Sequence, residues 1–127
     1  HLIFIVKIKN NMRVCIIGGG LSSLALAKAL VNLNVFVDVL MQKKSFEFNQ
    51  SRTLGISKSN VEFFNKNIMN IEKLIWKLRK IEIFTDNLKK DKLINFENQN
   101  KELFSILKND NLFKLLEKSL AKNKYFN

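Results

Sequence analysis

Apolar residues follow two different periods in the first third of the chain. Val14 to Ile17 is an unbroken apolar run rich in β-branched residues, which is typical of a strand buried on both faces. Gly18 to Gly20 end that run, and a helical period follows over about residues 21–33. The apolar residues that recur at three- and four-residue steps are Leu26, Ala29, Leu30 and Leu33, and the small residues Ala25, Ala27 and Ala29 are expected to permit close packing on a sheet. A second apolar run at 35–41 completes the order strand, helix, strand, which predicts one right-handed βαβ unit.

The middle of the chain predicts two further helices. Ser59 and Glu62 have the spacing of a capping box, in which each side chain bonds the other residue's backbone N–H, so a helix should run from there to about residue 66. Apolar residues at three- and four-residue steps predict another helix over residues 71–80. We expect both helices to lie outside the βαβ unit.

The last third predicts a hairpin and a closing helix. Residues 81–85 alternate in polarity and are separated by a turn from residues 93–96, which predicts a small antiparallel hairpin. Residues 103–107 fit a strand and a helix equally well, and Asp110 is predicted to cap a final helix. The apolar face of that helix is Leu112, Leu115, Leu116 and Leu120. The fold class expected is therefore α/β, with a Rossmann-like unit, additional helices and the hairpin.

Composition excludes several classes of protein. The chain has 127 residues, 46% of them hydrophobic, which suits one folded domain. Cys15 is the single cysteine and His1 the single histidine, so an internal disulfide, a zinc cluster and a histidine-based hydrolytic triad cannot be assembled. The early apolar run Leu2 to Val6 is shorter than the roughly 7–15 residues of a secretory leader, and we expect a cytoplasmic protein.

The net charge of +11 raises the question of a polyanionic partner. Lysines supply most of the positive charge, whereas specific contacts to nucleic acid favour arginine, so we expect no specific nucleic-acid binding. The main expectation is a solvated lysine surface, and the alternative is peripheral attachment to an anionic inner membrane. The lysines expected on helix faces are Lys73, Lys77, Lys80, Lys114, Lys118 and Lys122.

Residues 1–11 precede Met12, which stands directly before the first clean strand pattern. These residues are expected to be either a non-native N-terminal extension or an added strand, because their composition favours β-structure. We assign them no function.

The motif with clear chemistry is Gly18-x-Gly20-x-x-Ser23, which follows a strand and opens a helix as a dinucleotide fingerprint does. Gly18 can take a tight turn, Gly20 lets the main chain approach a pyrophosphate, and the helix N-terminus offers free N–H groups. Ser23 replaces the usual third glycine or alanine and is only slightly larger.

The fingerprint lacks one usual partner. An acidic residue at the end of the second strand ordinarily binds the adenosine ribose, but the residues at that place are Met41 and Gln42. Asp38 lies too early in the strand. The amide oxygen of Gln42 could accept a ribose hydroxyl, more weakly than a carboxylate.

Several ordered segments resemble the FAD-dependent aromatic-ring monooxygenases. Residues 18–27 resemble their GGGxxGxxLA opening, and residues 51–59 resemble the D-x-R-x-x-A-L-S-x-x-S stretch of the ubiquinone-biosynthesis hydroxylases. Residues 75–83 are similar to the W-x-x-I and I-x-x-I segments of that group, and residues 107–112 to its v-x-N-x-x-L segment. The resemblance covers the N-terminal third of the family's length.

The resemblance implies a flavin enzyme that uses NAD(P)H and O2 to hydroxylate a polyprenylated phenol. It implies that Arg52 contacts the flavin, and that residues 12–127 are the N-terminal part of an FAD-binding monooxygenase domain, a fragment that binds FAD weakly and turns nothing over. The catalytic residues stay unknown. With the fingerprint, it assigns these residues to cofactor binding: Gly18, Gly19, Gly20, Leu21, Ser22, Ser23, Met41, Gln42 and Arg52.

Two other functions stay open from the sequence. One is a small NAD(P)-binding Rossmann module, which the missing acid and the hairpin disfavour. The other is a non-catalytic basic binding protein that keeps the glycine turn as scaffold. Measuring which cofactor the purified chain binds would separate the three functions: flavin for the monooxygenase, nicotinamide for the Rossmann module, and neither for the basic binding protein.

Overall fold

A computed structural model describes residues 2–8, 11–41, 52–86, 92–97 and 104–127. Its elements are, in chain order, β1 (Leu2–Ile8), β2 (Asn11–Ile17), α1 (Leu21–Asn32), β3 (Phe36–Leu40), β4 (Thr53–Ile56), α2 (Lys58–Asn67), β5 (Ile75–Leu78), β6 (Lys80–Phe84), β7 (Lys92–Glu97), β8 (Phe104–Lys108) and α3 (Asn109–Leu120). The fold is α/β, as expected. Among the described residues, no helix is long and apolar enough to cross a membrane.

The first sheet contains the predicted βαβ unit. β2 and β3 are parallel, with Arg13 opposite Phe36 and Ile17 opposite Leu40, and α1 connects them. β1 pairs with β2 in the antiparallel sense, so residues 2–8 do add a strand. At the other edge, Phe126 forms a parallel bridge with Val37 and extends the sheet by a short segment. Whether residues 1–11 belong to the natural protein stays a prediction.

The predicted apolar face of α1 is confirmed only in part, because Leu26, Ala29 and Leu30 are partly buried against the core and Leu33 is not. The helix buries Ser23, Leu24, Ala27 and Val31, whereas Leu33 is 72% exposed. Apolar residues surround most of α1, so the spacing of its largest side chains does not identify the face that packs. Ala27 is fully buried, and we infer that small residues set the packed face because they let the helix approach its neighbours closely.

Burial of β2 and β3 on both faces is also wrong. Val14, Ile16 and Val37 are buried, whereas Ile17 is 40% exposed and Leu40 57% exposed. Side chains alternate across a strand, so these two sets lie on opposite faces of the sheet. One face joins the core with α1, and the other is only partly covered within the described residues.

The second sheet has the order β4, β8, β5, with β8 antiparallel to both neighbours. It shows that the ambiguous segment contributes a strand, Phe104–Lys108, and that the helix predicted over 71–80 is wrong. Residues 72–74 form a turn, and Ile75 lies opposite the buried Leu107. Pairing with a strand about thirty residues later therefore overrides the helical period of this segment.

The predicted hairpin is confirmed, and it forms from β6 and β7. Ile81 lies opposite Phe96 and Ile83 opposite Ile94, and the register shifts between Ile83 and Phe84. The two strands make a sheet of their own.

The helix α2 begins at a different residue from the one predicted. Ser57, with extended backbone angles, is the N-cap, and its hydroxyl accepts a hydrogen bond from the Asn60 N–H at 3.3 Å. The capping box from Ser59 to Glu62 is therefore wrong. Ser59 lies inside the helix, where its hydroxyl contacts that of Ser57 at 3.1 Å.

Ser57→Ala should lower the free energy of unfolding by about 1 kcal/mol, because it removes the acceptor for a helix-end N–H. Ser59→Ala is the matched control at an exposed position and should change stability by less than about 0.5 kcal/mol. Urea unfolding of both variants measures the difference. A larger loss for Ser59→Ala would contradict the assignment of the cap.

Among the described elements, the closing helix α3 contributes the most buried hydrophobic residues to the core, followed by α1. It buries Leu112, Phe113, Leu116 and Leu120, and Leu115 is half-buried. Asp110 does not cap it, because Lys108 is the N-cap and has no side-chain cap bond. Asp110 lies in the first turn, where its carboxylate pairs with Lys114 at 3.4 Å.

The lysines form one of the two helix faces that were predicted, the one on α3, and not the other. Lys77 and Lys80 lie on β5 and β6, not on a helix, and pair with Glu72 and Glu82. Lys114, Lys118 and Lys122 are exposed on or just after α3. The solvated character of these side chains is confirmed, and attachment to a membrane stays a prediction.

Candidate functional site

The glycine turn leaves the carboxyl end of β2 beside the carboxyl end of β3. Gly18 has φ 122°, a backbone conformation that side chains disfavour. Its N–H donates to the Leu40 carbonyl oxygen at 2.8 Å, which joins the turn to the end of β3. This geometry agrees with the tight turn predicted at Gly18.

The next two glycines have opposite surroundings. Gly19 is buried, and a Cβ built on it would lie 3.0 Å from both Cβ and Sδ of Met41. Among the described residues, a Cβ built on Gly20 would meet no atom within 4 Å. Gly19 is therefore enclosed by the protein, whereas Gly20 faces open space that a bound group could fill.

Helix α1 starts at this open position. Gly20 is its N-cap and has no side-chain cap bond, and the first intrahelical bond runs from the Leu24 N–H to the Gly20 carbonyl oxygen at 3.1 Å. The first turn carries no acidic residue to offset the positive end of the helix dipole. Ser23 is 3% exposed, so the third fingerprint position is buried, and serine is accommodated there. The start of α1 therefore presents backbone N–H groups suited to an anion.

An apolar cleft of about 220 Å³ adjoins the helix start. Its lining is Leu21, Ser22, Ala25, Leu54, Gly55, Ile56, Phe64, Leu107 and Leu112. Leu21 and Ser22 belong to both the fingerprint and the cleft. The opposite wall comes from β4, so the cleft joins the βαβ unit to the second sheet. An aromatic ring attached to a group at the glycine turn could lie here.

The remaining predicted residues within the described ranges, Met41 and Arg52, do not line this cleft. Met41 directly follows β3, lies against Gly19 and is 47% exposed. Arg52 is exposed and precedes the β4 wall, where its carbonyl oxygen accepts the Asn109 N–H at 3.0 Å. Within the described ranges the Arg52 guanidinium has no ion-pair partner. Gln42 lies outside the described residues. The structure thus brings Gly18 to Ser23 together with Met41 and places Arg52 next to the cleft wall.

Asp38 is engaged elsewhere. Arg13 donates to both of its carboxylate oxygens, at 3.1 and 2.9 Å, and the Asn127 side chain donates to one at 3.1 Å. The Arg13 hydrogen bond holds the pKa of Asp38 below its ordinary value of 3.8, against the opposing effect of burial. Asp38 therefore helps fasten the C-terminal segment to β3 and is not offered to a ligand at the glycine turn.

The Asp38 contacts should make stability fall at low pH. Because its pKa is lowered in the folded state, the stabilisation is complete above about pH 3.8 and is lost as the pH drops further. Asp38→Asn should cost a few tenths to about 1 kcal/mol at pH 7, since Arg13 is 44% exposed, and the difference from wild type should shrink on acidification.

Urea unfolding at pH 7 and near pH 3 measures this dependence. Asp86→Asn, at an exposed position, is the control and should leave stability at pH 7 within about 0.5 kcal/mol. A gap between Asp38→Asn and wild type that widens in acid would contradict the role of the carboxylate.

Sequence reasoning missed most of the cleft. Its apolar lining comes from α1, β4, α2, β8 and α3, and no local pattern reports that these elements meet. It also missed two oxygen acceptors near the Arg52 backbone, Asn109 Oδ1 and Asp110 Oδ1. Both are buried and have no hydrogen-bond partner among the described residues. Buried acceptors of this kind are normally paired. The N-terminal end of α3 is therefore a polar region beside the cleft.

Comparisons with known proteins show the fold. No protein-family model matches the sequence, and no curated protein matches it. A solved structure that is similar is 2,6-dihydroxypyridine-3-hydroxylase from Arthrobacter nicotinovorans, with a TM-score of 0.66 and 15% sequence identity. The similarity covers 91% of this chain and 28% of the hydroxylase, so this chain spans less than a third of that protein's length.

Proposed function

We propose that the chain provides the FAD-binding βαβ unit of a flavin-dependent hydroxylase of aromatic rings. The observation that carries the proposal is the open space at Gly20, next to an uncapped helix start and an apolar cleft. The fold similarity to an enzyme named for hydroxylating a pyridine ring, together with the ordered sequence resemblance, supports the same reaction class.

The residues present fit the diphosphate and the isoalloxazine ring of FAD at two different places. The diphosphate would lie at Gly20, where the Leu21 and Ser22 N–H groups and the helix dipole favour an anion. The isoalloxazine ring would lie against the cleft walls at Leu21, Leu54 and Ile56. Arg52, permanently charged, would stand near the anionic or carbonyl edge of the cofactor. FAD supplies the redox chemistry when bound, accepting electrons from NAD(P)H and passing them to O2.

This chain's own contribution is binding and orientation. The cleft of about 220 Å³ is smaller than the roughly 300–1,000 Å³ of sites that enclose a small molecule. It would hold one face of the ring and leave the other to solvent, so water would not be excluded from the reacting atoms. We therefore propose that the chain alone binds FAD weakly and does not hydroxylate.

The finer features of the proposal rest on the sequence resemblance alone. They are NAD(P)H as reductant, a polyprenylated phenol of ubiquinone biosynthesis as substrate, and peripheral attachment to an anionic membrane.

Titration of the purified chain with FAD, FMN and NADH tests the proposal. FAD should bind at least about tenfold more tightly than FMN, because FMN lacks the adenosine half and one phosphate of the diphosphate. Flavin fluorescence and calorimetry give the affinities. Binding of NADH without FAD would favour the nicotinamide module, and binding of neither would favour the non-catalytic basic protein.

A further inference from the structure

We infer that Met41 is a specificity-determining residue, which makes the nucleotide site insensitive to the ribose 2′-hydroxyl of its adenosine diphosphate ligand. The inference rests on the proposed function and adds to it. It states that the site recognises the diphosphate and the attached rings, and that the sugar between them contributes little.

The register of the sheet fixes where Met41 lies. Ile17, the last residue of β2, is opposite Leu40, the last residue of β3, and the Gly18 N–H bonds to the Leu40 carbonyl oxygen. Met41 is the next residue, so it is level with the glycine turn at the carboxyl edge of the parallel pair. In such folds the residue at this place binds the ribose that is joined to the diphosphate at the turn.

The chemistry of Met41 does not suit that task. A thioether sulfur is a weak acceptor, whereas a carboxylate can accept two charge-assisted hydrogen bonds from a ribose. The side chain is also held against Gly19, where a Cβ would come within 3.0 Å of Met41 Sδ. Met41 therefore offers the ligand an apolar surface and no strong hydrogen bond.

The nearby carboxylate of β3 does not compensate. Asp38 lies three residues earlier, and both of its oxygens accept hydrogen bonds from Arg13, with a further one from Asn127. Freeing this carboxylate would break an ion pair and the fastening of the C-terminal segment. The described part of β3 thus gives the ribose no free anionic acceptor.

Binding of ADP and 2′-deoxy-ADP to the full 127-residue chain tests the inference. Wild type should bind the two within about twofold of each other. Met41→Glu should bind ADP at least about tenfold more tightly than 2′-deoxy-ADP, because a carboxylate hydrogen bond is lost with the hydroxyl. Met41→Leu, which keeps an apolar side chain of similar size, should behave as wild type, and thermal unfolding checks that all three chains fold.

Each result decides between the two claims. A tenfold or greater preference of wild type for ADP would overturn the insensitivity to the 2′-hydroxyl and would assign the ribose contact to Gln42. An unchanged ratio in a folded Met41→Glu would overturn the role of Met41, and either result would leave the nucleotide site in place. Failure of FAD and both ADP probes to bind any variant would overturn the proposed function, and the inference with it.

Discussion

Replacing Leu116 with alanine is expected to lower the free energy of unfolding by about 3 kcal/mol, within the 2–5 kcal/mol typical of such core changes. Leu116 is fully buried on α3, in the cluster that also contains Leu24, Ala27 and Val31 of α1. The lost side chain removes apolar burial and leaves a cavity that surrounding residues fill only in part. A loss of this size is a large fraction of the stability of a small domain.

The adjacent Leu115 provides a matched control. It is the same residue type in the same helix turn but is only half-buried, at a shallow surface groove with Leu74 and Lys118. Leu115→Ala should cost less than about 1 kcal/mol, because less apolar surface is uncovered. Urea unfolding compares the two variants. Equal losses would contradict the orientation of α3 and the packing of α1 against it.

The second large effect is expected at the glycine turn, where stability and binding should separate. Gly18→Ala should cost about 1–3 kcal/mol, since φ 122° is a conformation that alanine strongly disfavours. Gly20→Ala should cost less, about 0.5–1 kcal/mol, because alanine is a poorer N-cap than glycine, whereas its φ of −76° suits any residue and its Cβ would meet no atom of the described residues within 4 Å.

At Gly20, the substitution should affect FAD binding more than it affects stability. An added methyl would occupy the space where the diphosphate approaches the main chain, so we expect Gly20→Ala to weaken FAD binding at least about tenfold. Thermal unfolding and flavin titration of the same samples measure both properties. Gly20→Ala that binds FAD as wild type does would show that the open space at Gly20 is not the ligand site.

The βαβ unit could be predicted because its information is local. β2, the glycine turn, α1 and β3 follow one another within about thirty residues, and each has its own period or break. The restricted backbone of Gly18 follows from the same stretch. The face of α1 could not be read in this way, since apolar residues nearly encircle the helix and only contact with the sheet and α3 selects Ala27 and Val31.

Elements that depend on distant partners were the ones the sequence missed. Residues 75–78 have a helical spacing, yet they form a strand because β8 offers an open edge opposite them. The cap of α2 depends on backbone angles at Ser57 that no residue spacing reports. The cleft has the same origin, because its walls are brought together by the packing of five elements.

Selective ¹⁵N-glycine labelling gives the most direct measurement of the central claim that a nucleotide diphosphate lies at the turn. The chain has four glycines, three in the turn and Gly55 in the cleft wall, so each amide reports on one place. ADP should shift the Gly20 signal most and leave Gly55 unchanged, whereas FAD should shift Gly20 and Gly55 together. Shifts at Gly55 alone, or unchanged turn signals at saturating FAD, would contradict the account.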